Sequence, residues 1–416
     1  MNKSFGIKKN NILLLLIASF IGLLSGFISL YVLQEQWYLI LALILSFLII
    51  YNPIFGVLGI IVLAPFGMFV VIEGLGTISR YLGFVLMTSF AIRLFSTKNI
   101  QLKVPKELYW LILFIILGFS SLLWAYSVDE VITRSFTLFQ LLILYLITYN
   151  LLLNNFKSFK YIYITILITG ICIAIYSLNI FLSMDYFTSW TRISVSERID
   201  VNHLASFLLI PFWISFYYSN NKSSIYIIPL LLISITIVLT QSRGALVAII
   251  ITAIIYFLLN INRKVLKPVT TIVLLIIILL LVLPEQTFSR FLIFISDKEV
   301  MLSGSGRYDI WLSGWDLFKA SPIYGIGLGN FTLLLSFPHS SFVQIGTELG
   351  ILGVFVFFIF LYTLLFKPKI IKNMDMFIVI SILIMSLTVD IFYTHYFWLV
   401  LCIYSAKKNS TKLNAG

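Results

Sequence analysis

Charge is what this sequence has least of. Only 11% of its 416 residues are Asp, Glu, Lys or Arg, where a soluble domain carries about 25%. Acidic residues are the scarcer sign, 16 against 28 Lys and Arg, which leaves a net charge of +12. Cysteine is nearly missing. Cys172 and Cys402 both sit in apolar runs, which excludes a disulfide framework or thiolate metal spacing and reads as two small buried hydrophobes. There are three histidines and no cluster of His, Asp, Glu or Cys at ligand spacing, so the expectation is chemistry without a metal or cofactor. Internal repeats, low-complexity tracts and soluble linkers are also lacking. A single domain over 1–416 is the economical reading.

What fills the chain is hydrocarbon: 61% of residues are hydrophobic and the mean hydropathy is +1.07. Runs such as 12–32, 161–182 and 270–283 approach the roughly 20 apolar residues that cross a bilayer as a helix. The first run is too long for the apolar part of a cleaved signal peptide and lacks a clear small-residue cleavage site, so it reads as the first span. Spans are expected near 11–33, 37–51, 54–72, 78–95, 108–126, 135–153, 161–183, 203–219, 225–240, 245–261, 269–284, 349–366, 376–389 and 391–405. The fold class is all-α, a polytopic membrane helix bundle of about 12–14 spans.

Basic residues between the spans recur in register. Lys3, Lys8, Lys9, Arg93, Lys98, Lys103, Lys106, Lys157, Lys160, Lys222, Arg263, Lys264, Lys267, Lys367, Lys369, Lys372, Lys407, Lys408 and Lys412 all fall on one side. By the positive-inside rule that side is the cytoplasm, and both termini lie there. Dispersed in this way, the positive charge suits anionic lipid headgroups and not nucleic acid. Most outer connections are brief. The exceptions are 184–201 and a large extracytoplasmic loop over 285–348. In that loop Tyr308, Trp311, Trp315 and Phe318 recur at helical spacing, and Ser321 and Pro322 end the pattern. The glycines Gly325, Gly327 and Gly329 lack the spacing and preceding strand of a dinucleotide fingerprint and read as a flexible turn.

Three outer positions could carry chemistry. Arg243, preceded by Ser242 and followed by Gly244, interrupts two apolar runs; it reads either as an interfacial anchor or as an anion clamp whose planar fork matches phosphate oxygens. Arg307 follows Gly306 and opens the aromatic helix, so two arginines facing one compartment could grip a diphosphate, with glycine allowing close backbone approach. His339, after Pro338, can take a proton from a hydroxyl at neutral pH, and nearby arginines would favour its neutral form. A structural histidine is the plainer reading of His203 and His395.

Several of these residues fall into motifs that together resemble the O-antigen ligase and polymerase family. The motifs occur in order: Asp200, Asn202, His203, Leu204 and Ala205; Ser242, Arg243 and Gly244; Gly306, Arg307 and Trp311 followed by Pro322, Gly325, Gly327, Gly329 and Asn330; and His339, Phe342, Gln344, Glu348, Gly350 and Gly353. The likeness covers 200–353, about a third of the chain. The family usually has Asn after the histidine, and here Ser340 stands there. In the first half, Trp124, Ala125, Tyr126, Ser127 and Arg134 give the best local likeness.

The resemblance implies a metal-independent inverting glycosyltransferase, GT-C-like in architecture, in the bacterial cytoplasmic membrane. It would move a glycan from a polyprenyl-diphosphate carrier, undecaprenyl diphosphate in kind, to an acceptor hydroxyl at the outer face during cell-surface polysaccharide biosynthesis. Arg243 and Arg307 would bind the diphosphate and His339 would act as base or acceptor-positioning group. Asn202, Ser242, Gly306, Trp311 and Glu348 would serve substrate binding, with Glu348 either orienting His339 or capping a helix. The partners implied are a lipid-linked oligosaccharide donor, a glycan or lipid-linked acceptor and membrane lipids, without nucleic acid. A lipid-linked oligosaccharide flippase is the rival reading. Charges gathered at the outer face, together with a long external loop, count against it.

Overall fold

The structure is a computed structural model that describes residues 37–66, 71–72, 76–96, 102–184, 191–195, 199–260, 266–283, 306–366 and 373–413. The expected first span at 11–33, the lysines at 3, 8, 9, 98, 264, 367, 369 and 372, Arg263, and the first part of the 285–348 loop lie outside these residues.

Within them the chain is a succession of apolar helices. The first half supplies α1 (Trp37–Tyr51), α2 (Ile54–Leu63), α3 (Ile78–Ser96), α4 (Glu107–Ser120), α5 (Val128–Asn154) and α6 (Lys157–Leu182). The second supplies α7 (Val201–Asn221), α8 (Ile227–Leu239), α9 (Arg243–Leu259), α10 (Leu266–Val282), α11 (Arg307–Ala320), α12 (Phe331–Leu334), α13 (Ser341–Leu365), α14 (Met374–Met385) and α15 (His395–Leu413). A two-residue ladder between Val71–Ile72 and Gly76–Thr77 is the one pair of strands among the described residues. Of the described helices, α3, α5, α6 and α13 are long and apolar enough to cross a membrane alone, and shorter apolar helices pack beside them.

The outside of the bundle is as greasy as its core. Tyr161, Ile164, Ile168 and Ile175 are exposed on α6, and Val247, Ile250, Ile254 and Leu258 on α9; spacing of three to four residues makes each set one stripe down a helix. A soluble protein does not display apolar surface of this extent, so lipid is its solvent. Cys172, expected in the core, instead sits exposed on α6, whereas Cys402 is buried and its thiol faces the Tyr145 carbonyl. Isoleucine dominates the flanking residues of Cys172 on either helix face, so hydropathy alone could not separate core from lipid.

The bundle has one cationic end. There Lys407 lies over the rings of Phe156 and Phe159, Lys267 donates to the Asn220 carbonyl, and Lys408 donates to the carbonyl of Leu364. Buried polar pairs close the same end, with Tyr163 donating to Asp375 and the Asn150 amide bracketing the backbone of Lys103.

At the opposite end the helices are interrupted where the sequence suggests continuity. The run expected to cross at 376–389 and return at 391–405 has an irregular connection over 386–394 between α14 and α15. Helix α13 is broken at Gly350, whose φ of 64° lies in the left-handed region. The broken turn frees backbone groups, and the glycine segment takes them. Ile326 and Gly327 donate to the carbonyls of Thr347 and Glu348, while Ile351 donates to Pro322. Gly325, Gly327 and Gly329 all have positive φ and are buried. This segment is a rigid insert and not the flexible turn expected from its glycines. A Cβ at Gly325 would stand 2.4 Å from the Glu348 backbone, and one at Gly327 2.4 Å from Ala125.

The insert is held from its other side by the turn between α4 and α5. Ser121 accepts from the Leu328 amide at 3.0 Å, and the Ser127 amide donates to the Asn330 side chain at 2.7 Å. Trp124, Ala125, Ser127 and Arg134 therefore share one purpose: they receive the glycine segment from the second half.

Candidate active site

Four chain segments meet at the interrupted end and enclose a cavity of about 380 Å³. Ala64 and Pro65 come from the end of α2, Asp200 and His203 from the start of α7, Phe337 and His339 from the turn before α13, and Asp390 and Tyr393 from the 386–394 connection. His395, the first residue of α15, closes it.

His339 is placed by the backbone. Its φ of 48° is left-handed, a conformation that costs a non-glycine residue about 1–3 kcal/mol and persists only where the surroundings dictate it. Two contacts do so. Trp311 on α11 donates its indole N–H to the Pro338 carbonyl at 2.9 Å. On the other side Ser340 caps α13 by accepting from the Val343 amide at 3.3 Å, and Ser341 donates its amide to Ser386 at 2.9 Å. A hydroxyl at position 340, where the resembled family has Asn, is thus engaged in helix capping.

Burial lowers the His339 pKa from its ordinary value of 6.5, and the charge of Arg307 lowers it further. The carboxylates of Asp390 and Asp200 oppose this without reversing it. A histidine so placed is neutral at pH 7 and can accept a proton. Gly306 starts α11 with φ 80°, and nothing stands within 4 Å of where its Cβ would be, so Arg307 begins its helix beside open space.

His203 faces Asp390 across the cavity, with Nε2 and Oδ1 3.6 Å apart. Burial pushes the Asp390 carboxyl up, and the facing imidazole outweighs it and holds the group below the usual carboxylate range. Asp200 caps α7, accepting from the amides of Asn202 and His203. Asn202 is turned away from the cavity. Its carbonyl oxygen accepts from Arg192 at 2.9 Å and from the Ser242 hydroxyl at 3.1 Å, while Arg192 also donates to the Thr240 carbonyl. This knot fixes the start of α9 and so the backbone of Arg243. Gly244 lies so close to Thr388 that a Cβ would come within 2.3 Å of its hydroxyl. Arg243 is thereby pinned between the α7 start and the 386–394 connection.

Glu348 is buried, and its side chain accepts from Gln344 at 3.1 Å and from Tyr393 at 3.4 Å, while its backbone carbonyl accepts from the Gly327 amide at 2.9 Å. None of its hydrogen bonds goes to His339 among the described residues. The expectation that it orients His339 gives way to another role: beside the break in α13 its carbonyl holds the glycine insert and its side chain holds Tyr393 of the cavity wall. Arg134 extends the tie, 5.0 Å from the Tyr393 ring and 3.6 Å from Glu130.

Of the residues singled out by sequence, His339 and His203 line the cavity, and Arg307 acts on His339 electrostatically. Trp311, Ser242, Asn202 and Glu348 support the walls. Asp390, Tyr393 and Arg192 were not singled out. An acidic residue between Val389 and Ile391 was the available signal for Asp390, since ionisable groups in apolar runs are costly unless used. Among the described residues no group of three or more His, Cys, Asp or Glu is arranged to hold a metal ion.

Apolar helices with lipid-facing stripes, one cationic end and a polar cavity at the other define a polytopic helical membrane protein. Residues 228–358 match the family model described as O-antigen ligase. Over that segment, about a third of the chain, it is similar to the O-antigen ligase family. No curated protein matches it.

Proposed function

We propose that the protein transfers a glycan from a polyprenyl-diphosphate carrier to an acceptor hydroxyl at the outer face of the bacterial cytoplasmic membrane. The observation that carries this reading is that Arg243, Arg307 and His339 all fall inside the family-matched segment, with His339 lining the cavity and Arg307 in electrostatic reach of it. The cavity lies at the end opposite the lysines, which the positive-inside rule assigns to the outside, with the carboxyl terminus in the cytoplasm.

In the proposed reaction the acceptor oxygen attacks the anomeric carbon of the donor sugar. The bond from that carbon to the phosphate oxygen breaks, and the polyprenyl diphosphate leaves with the electron pair. His339 takes the acceptor proton. Arg243 and Arg307 neutralise the charge that develops on the leaving diphosphate, an effect worth most in a partly desolvated site. Attack opposite the leaving group inverts the anomeric centre, and no metal is required.

The reading is tested with purified protein in vesicles given a lipid-diphosphate oligosaccharide. Chain elongation, or transfer to an added acceptor, with release of polyprenyl diphosphate is the expected result. Movement of intact lipid-linked oligosaccharide across the bilayer without glycosidic bond formation would replace the transferase by a flippase.

A further inference from the structure

A second concavity opens on the flank of the bundle between α3 and α5, and no part of the transfer chemistry uses it. Phe84 and Met87 on α3 and Phe136 and Phe139 on α5 form its walls, and all four are exposed to the surrounding lipid. Leu86 and Leu144 floor it. From Phe136 to Ile147 the groove follows α5 for roughly 17 Å at 1.5 Å per residue. It descends from the cavity end towards the cationic end.

Two features separate this groove from the ordinary seams of a membrane bundle. Arg80 lines its upper end, and its guanidinium makes no hydrogen bond or ion pair among the described residues. A cation there, at the end of an apolar furrow, is costly unless an anion meets it. The second feature is continuity. His395 lines both the groove and the polar cavity, and Arg80 lines the groove with it. An anionic head at Arg80 would stand beside the cavity while an attached hydrocarbon chain lay in the furrow.

We propose that this groove seats the polyprenyl chain of the lipid-diphosphate donor, with Arg80 as a third cation on the carrier's phosphate end. The inference rests on the transferase reading above, which supplies the donor. A single apolar chain with an anionic terminus matches a narrow furrow headed by one arginine. Gly83 lines the furrow, and a Cβ added there meets nothing within 4 Å. A larger residue at that position starts into the furrow without a clash at its Cβ.

The test measures binding of undecaprenyl diphosphate and of geranyl diphosphate to the full chain in phosphatidylcholine nanodiscs. Gly83→Leu should weaken undecaprenyl diphosphate about tenfold, a change of about 1.4 kcal/mol, and leave geranyl diphosphate unchanged. Arg80→Gln should weaken both. A photoreactive polyprenyl diphosphate on the unsubstituted protein should label α3 and α5. If Gly83→Leu binds the long ligand as the unsubstituted protein does, or if label falls only on other helices, the groove is an ordinary lipid-facing seam and the proposal is overturned while the transferase reading stands. Failure of the unsubstituted protein to bind undecaprenyl diphosphate at all would remove the donor, and both readings with it.

Discussion

The indole nitrogen of Trp311 donates to the carbonyl of Pro338 at 2.9 Å, one residue before His339. Helix α11 thus holds the turn that forces His339 into left-handed backbone. Trp311→Phe keeps the ring and removes the donor, leaving a carbonyl without its partner at a cost of about 1–3 kcal/mol. Glycan transfer should fall roughly tenfold or more while binding of the lipid-linked donor stays near normal. Unchanged turnover would show that the turn holds itself.

His339→Ala should slow the chemical step by roughly 10²–10⁴-fold if the imidazole is the base. The pH dependence carries the sign. Only neutral imidazole accepts a proton, so activity falls as pH drops through the His339 pKa. Burial and Arg307 lower that pKa from 6.5, which puts the acid limb below 6.5 and a plateau at neutral pH. Arg307→Gln removes a lowering charge, so the limb of its residual activity should move to higher pH. A limb that stays in place in that variant assigns the titration to another group.

Arg243→Lys and Arg307→Lys retain charge and lose the planar fork. If the guanidiniums hold a diphosphate in bidentate fashion, both variants should lose most transfer activity at normal membrane abundance. Near-native turnover in either would reduce that arginine to an interfacial anchor.

Two glycines with left-handed backbone should respond very differently to alanine. At Gly350 a Cβ would lie 2.4 Å from the Ile323 carbonyl oxygen, so Gly350→Ala must part α13 from the insert. The expected result is a large drop in thermal midpoint together with loss of transfer. At Gly306 a Cβ meets open space, and alanine there costs only the backbone term, about 1–2 kcal/mol. Equal thermal shifts in the two variants would mean that the insert is not clamped as described.

Much of the helical layout was legible because lipid imposes a crude rule: about 20 apolar residues per crossing, with lysine at one end. The expected α3, α5 and α6 lie where hydropathy puts them. The departures fall at the cavity end. Gly350 breaks α13 because distant backbone, Pro322 and Ile323, supplies substitute hydrogen-bond partners, and a linear reading does not see distant partners. The same holds for Glu348, whose side chain accepts from Tyr393, 45 residues away, and whose carbonyl accepts from Gly327. Arg243, Arg307 and His339 stood out because polar residues in an apolar chain are few. Asp390 was passed over since the apolar residues around it read as one crossing after another.

The bond between Ser127 and Asn330 joins residues 203 apart in sequence. A ribosome adding about 5–20 residues per second needs roughly 10–40 s to travel from one to the other. For that interval the turn after α4 sits in the membrane with the Ser121 hydroxyl and the Ser127 amide still waiting for the glycine insert. The site is therefore among the last parts of the molecule to form during synthesis. A nascent chain released before Asn330 emerges carries its early helices without the cavity.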